Sequence, residues 1–77
     1  MEHPGEITFV DEDAGTERAR PAAEVPASVA FVTVDGATVP VVRVVSRMRG
    51  PQRVIRSYGP EGQLLSTTLQ APPPRRR

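Results

Sequence analysis

The apolar positions of this 77-residue chain fall in short runs broken by turn residues, a spacing that belongs to β-strands rather than helices. Ser28-Val29-Ala30-Phe31-Val32-Thr33-Val34 has the β-branched and aromatic enrichment of a strand. It runs straight into Asp35-Gly36, the dipeptide best suited to a two-residue type I′ hairpin, whose corner residues both take positive φ. A second run extends from Ala37 to Met48. Arg49-Gly50-Pro51-Gln52 reads as a turn and Arg53 to Tyr58 as a third strand. In Gly59-Pro60-Glu61-Gly62 the proline presets φ at the first corner and Gly62 can take the left-handed position. Leu64 to Leu69 is the fourth strand. The expected fold is therefore mainly β: an antiparallel meander of about four strands, either an open sheet or a small SH3-like barrel. The apolar run Ile7-Thr8-Phe9-Val10 could add a fifth strand.

The first hairpin carries a register. A two-residue loop pairs Val34 with Ala37, Val32 with Val39 and Ala30 with Val41, on one face with Arg43, Val45 and Arg47. Val29, Phe31, Thr33, Val42, Val44 and Met48 share the other face. Both faces are apolar near the turn, unlike a sheet with one wet side. The hairpin should thus close into a barrel or be covered by a second copy, which makes Val29, Phe31, Val32, Val39, Val41 and Val42 the candidate interface. Pro40 cannot donate a ladder hydrogen bond and belongs on an edge or at a bulge.

Outside residues 27–70 the pattern changes. Residues 1–26 read as a largely flexible acidic arm, because 11–26 is charged, alanine-rich and broken by Gly15, Pro21 and Pro26. A helical turn over Thr16 to Arg20 would be halted by Pro21. Residues 71–77, Ala-Pro-Pro-Pro-Arg-Arg-Arg, read as an extended Pro/Arg-rich tail. Charge divides along the same boundary. The first 24 residues hold seven acids and two arginines, a net of −5; the remainder holds eight arginines and two acids, a net of +6. A basic, strand-forming body beside an acidic arm suggests an anionic partner, or an arm that masks the body.

All ten basic residues are arginine. A GC-rich coding sequence accounts for that bias without function; arginine's forked donors, matched to phosphate and carboxylate, are the competing explanation. Arg43, Arg47 and Arg49 are evenly spaced and should project to one side of the second strand, joined there by either Arg53 or Arg56, which differ in parity. These five are the candidate anion-binding residues. Few aromatics accompany them, so nucleic-acid binding would be weak, sequence-indifferent and salt-dependent.

Enzyme chemistry finds no footing, and none is expected. The single histidine, His3, is near one end, the chain has no cysteine, and Asp11-Glu12-Asp13 lacks the spacing of a calcium loop. No cofactor or metal is expected either. The opening residues lack the basic and apolar regions of a signal peptide, and Val25 to Val45 is too interrupted to cross a membrane, so the expected location is the cytoplasm.

One local resemblance exists. Ser57-Tyr58-Gly59-Pro60-Glu61-Gly62-Gln63-Leu64 resembles a single unit of the YD (Rhs-type) repeat: a tyrosine, a short glycine turn, then a polar residue and leucine. It covers eight residues without repetition, and Gly59 stands where that family has aspartate, which implies a shared hairpin solution. Three roles remain in competition. The first is a non-enzymatic interaction module that self-associates or docks on a larger protein. The second is a low-specificity binder of nucleic acid or another polyanion. The third is an accessory subunit of a phage or bacterial assembly.

Overall fold

A computed structural model describes residues 5–71. His3 and all of the expected tail but Ala71 lie outside the described residues. The protein is mainly β, with seven strands among the described residues: β1 (Glu6–Asp11), β2 (Thr16–Pro21), β3 (Phe31–Val34), β4 (Ala37–Pro40), β5 (Arg43–Arg49), β6 (Gln52–Tyr58) and β7 (Leu64–Gln70). Five of them form one mixed sheet in the order β2-β1-β5-β6-β7, while β3 and β4 pair only with each other.

Three hairpins follow the turn chemistry of the sequence. Val34 pairs with Ala37 and Val32 with Val39 around Asp35 (φ 50°) and Gly36 (φ 80°), the two positive values that a type I′ turn requires. Gly36→Ala is expected to destabilise the protein by about 1–2 kcal/mol, the cost of a Cβ in the left-handed region; urea unfolding measures it. In the β5–β6 hairpin, Gly50 (φ 63°) takes the first corner between Arg49 and Gln52, and Pro51 the second. Between β6 and β7 the Gly59 N–H donates to the Gln63 carbonyl (2.9 Å), and the Glu61 N–H to Gln63 Oε1 (2.8 Å). The bulge at the start of β7 leaves Leu65 as an extra residue between the pairs Tyr58–Leu64 and Ser57–Ser66.

Three expectations are corrected. First, the acidic stretch placed in an arm contains a strand. Thr16–Pro21 pairs antiparallel with β1 along its whole length. Asp11 organises the connection: its Oδ1 accepts from the Asp13 N–H (3.1 Å) and the Ala14 N–H (3.2 Å), closing the loop into an Asx turn. Asp13 Oδ2 accepts from the Met48 N–H (2.6 Å), which ties the loop to β5. Composition pointed away from this strand because its side chains are all exposed; its backbone bonds to β1 hold it.

Second, the run from Ala37 to Met48 is two strands. Pro40 ends β4, and at Val41-Val42 the chain leaves the small sheet for the large one. The Val41 N–H donates to the Ala30 carbonyl (2.8 Å), whereas the Val42 N–H donates to Tyr58 (2.9 Å) and the Val42 carbonyl accepts from Thr8 (3.0 Å). β5 therefore runs parallel to β1, with Phe9 beside Val44 and Val10 beside Val45. This replaces an all-antiparallel meander by a mixed sheet, and among the described residues the sheet is open at β2 and β7 and forms no closed barrel.

Third, the first predicted strand begins later than Ser28. Ala27–Ala30 forms a single helical turn, α1, after Pro26, whose carbonyl accepts from the N–H groups of Val29 and Ala30 (2.9 Å each). Proline's fixed φ suits the start of a helix, and alanine and serine favour it over a strand. A 3₁₀ turn over Ala22–Glu24 precedes it.

The hairpin and the two helical turns pack back over one face of the sheet within the same chain. Ile7, Ala22, Ala30, Val41 and Val44 form the buried core, with Phe9, Val25, Phe31, Val32, Ile55 and Leu65 partly buried against it. The expectation that a barrel or a second copy must cover the first hairpin is thus met differently, by the chain's own five-stranded sheet.

Candidate functional site

The register assigns every side chain of the large sheet to one of two faces. On the uncovered face, Arg43 lies opposite Tyr58, Arg56 opposite Val45, and Arg47 opposite Val54. Arg43, Arg47 and Arg56 converge on a groove of ≈330 Å³ that also touches Tyr58 and Glu12. Arg49 shares this face by parity but sits at the strand end, opposite Gln52 and away from the groove. Val54, 5% exposed, lies among these residues, with Arg47 and Leu69 as cross-strand neighbours. Arginine stems thus shield apolar surface while their heads stay in water.

Arg53 is the parity exception. It points to the covered face, where its Nη1 donates to Ser46 Oγ (3.3 Å). Four of the five arginines read from the sequence therefore share a face, and Arg56, not Arg53, joins the three from β5.

Acids enter the basic face through β2 and its turn. Glu17 approaches Arg43 Nη1 at 3.7 Å, both side chains about half exposed or more. A pair so wet contributes about 0–1 kcal/mol, but it places a carboxylate at one end of the arginine row. Glu12, in the β1–β2 turn, lines the groove, and Glu17, on β2, borders Arg43.

The candidate interface valines divide. Val41 is wholly buried (0% exposed) and serves the core, so it cannot meet a partner. Phe31 and Val32 also pack on the core, and Val39 and Val42 are half-buried. Of the six, only Val29, at 39%, is exposed. The large apolar side chains that do face water include Val34, Met48, Leu64 (54%) and Leu69 (60%). Two of these lie on β7, whose place at the sheet edge local sequence does not specify.

The two edges of the large sheet differ in chemistry. β2 reads Thr-Glu-Arg-Ala-Arg-Pro, with charges and a terminal proline, the usual guards against pairing. β7 reads Leu-Leu-Ser-Thr-Thr-Leu-Gln, seven residues without a charge or a proline. Among the described residues it pairs with β6 on one side and with no strand on the other.

Comparison with known protein families, characterised proteins and solved structures finds no match for this chain. Among the described residues, no helix is long and apolar enough to cross a membrane.

Proposed function

We propose that this protein is a non-enzymatic interaction module that self-associates through β7. The observation that carries the reading is the unguarded edge: seven neutral residues with Leu64 and Leu69 more than half exposed. A second copy is the fitting occupant, because two neutral edges meet without like-charge repulsion. A two-fold axis between identical strands makes them antiparallel, which joins two five-stranded sheets into one of ten. Each added backbone hydrogen bond satisfies a group otherwise left to water, and the exposed leucines bury together. Sedimentation equilibrium at low micromolar concentration tests the reading. The expected species is at least twice the 8.3 kDa chain mass; a monomer across the whole range would sink it.

A second reading rests on the groove formed by Arg43, Arg47 and Arg56 with Tyr58. It supports low-specificity polyanion binding through phosphate contacts. Changing all three arginines to glutamine should weaken binding of a single-stranded oligonucleotide at least tenfold at low salt. Glu12→Gln with Glu17→Gln should strengthen it, by removing the carboxylates that border the row. Fluorescence anisotropy across a salt series measures both. Deleting the acidic segment would be a poor test, because it removes β1 and with it the buried Ile7.

A further inference from the structure

The covered face of the sheet is only partly covered. α1 and the β3–β4 hairpin leave an open cleft of ≈510 Å³ above β1, β5 and β6. That volume lies within the range of small-molecule sites, about 300–1,000 Å³. Phe9, Val44 and Ile55 line its floor, and Val29 and Val32 its roof. Phe9 and Ile55 occupy inner strands of the sheet yet stay only partly buried. Inner-strand apolar side chains of this kind are normally sealed by the opposing layer.

The cleft is graded along the strands. Phe9, Val44 and Ser57 lie side by side on three neighbouring strands; one step on come Asp11, Ser46, Ile55 and Thr68, and a further step reaches Arg53 and Gln70. From Ser57 to Arg53 the floor spans four residues of β6, about 13 Å at roughly 3.3 Å per residue. One end is therefore apolar and roofed, the other polar and open. Charge selects what fits. Arg18 and Arg53 line the cleft against Asp11, a net of one positive charge. Two of the backbone N–H groups near it already bond Asp11 Oδ1, which holds that carboxylate in its loop. Arg53 rests against Ser46 Oγ (3.3 Å), a contact that orients the guanidinium within the cleft.

We propose that this cleft binds a medium-chain carboxylate, with the hydrocarbon between Phe9, Val44, Ile55 and Val29 and the carboxylate on Arg53, assisted by Ser46 and Thr68. A single negative charge matches the single excess positive charge of the cleft, whereas a dianion would meet Asp11 unopposed. The planar guanidinium fork fits a carboxylate in two-point contact. This proposal is independent of the pairing of β7, which uses that strand's outer backbone edge.

The experiment titrates the isotope-labelled full chain with decanoate, following backbone amide shifts and, in parallel, heat. Saturable binding is expected, with shifts centred on Phe9, Val44, Ile55 and Ser57. Arg53→Gln should weaken it about tenfold or more, the loss associated with a charged hydrogen bond, and Arg53→Lys should recover part of that. Decanol should bind more weakly than decanoate by a similar factor. Val29→Trp, at an exposed roof position, should abolish binding by filling the cleft while leaving the amide spectrum folded. Decanol binding as tightly as decanoate would overturn the proposal, as would shifts confined to the Arg43, Arg47 and Arg56 face. Shifts at Phe9 and Ile55 that track protein concentration without any ligand would assign the cleft to a second copy and overturn it as well.

Discussion

Val41→Asp is expected to leave no folded protein. Val41 is wholly buried at the point where the chain passes from the small sheet to the large one. Its N–H bonds to the Ala30 carbonyl, and its side chain packs with Ile7, Ala30 and Val44. A carboxylate there forfeits about 1.5–3 kcal/mol of apolar burial and adds several more for an unpaired buried charge. A domain with 67 described residues holds about 3–10 kcal/mol in total, at roughly 0.05–0.15 kcal/mol per residue. The loss consumes most or all of it. Circular dichroism should show a collapsed β signal and no cooperative melt. Leu69→Asp, at a position 60% exposed, should by contrast keep the fold.

The second large effect falls on assembly rather than folding. Thr67→Lys combined with Leu69→Lys places two cations on the neutral edge strand, both on the sheet face opposite the core, since these residues pair with Arg56 and Val54. In an antiparallel pairing of identical strands the four lysines of a dimer meet across the joint. Repulsion between like charges opposite one another, with the loss of leucine burial, should convert the oligomer to a monomer of 8.3 kDa. Both positions are exposed, but the lysine at position 67 also lies opposite Arg56 on β6, so the melting temperature of the isolated chain should fall modestly while the fold is kept. Sedimentation of the variant beside the parent chain measures the shift.

Legibility of the fold from the sequence followed the range of the interactions concerned. Asp35-Gly36 and its register were readable because a turn is a local event: two residues with positive φ fix which partners face each other. The turn at Gly59 to Gly62 was readable for the same reason. β2 was not, because nothing in Thr16 to Pro21 is buried. Its cue was local but faint, an Asx turn at Asp11 opening a loop that ends on Gly15, followed by the charged stretch Glu17 to Arg20. The break at Pro40 was visible as a missing donor, yet the passage of Val41 into the core depended on Ala30 across the hairpin. The parallel pairing of β1 with β5 joins residues 35 apart in sequence, as at Thr8 and Arg43, and no local pattern encodes it.

The candidate sites divide along the same line. Strand parity alone brought Arg43 and Arg47 together, and the β5–β6 hairpin then chose Arg56 over Arg53. Valine content alone did not tell buried from exposed positions, because composition does not say which apolar residues a chain keeps for itself. Val41 was spent on the core, while Leu64 and Leu69 stayed in water because their strand fell at an edge.

The most direct test of association through β7 is hydrogen exchange of backbone amides at several protein concentrations. Along β7, amides that bond to β6 should be protected at every concentration, and those on the outer side should gain protection as concentration rises. The outer amides of β2 serve as the internal reference and should exchange fast throughout. Should the outer β7 amides exchange as fast as those of β2 at the highest concentration, β7 is not the joint and the account of this protein as a self-pairing module is wrong.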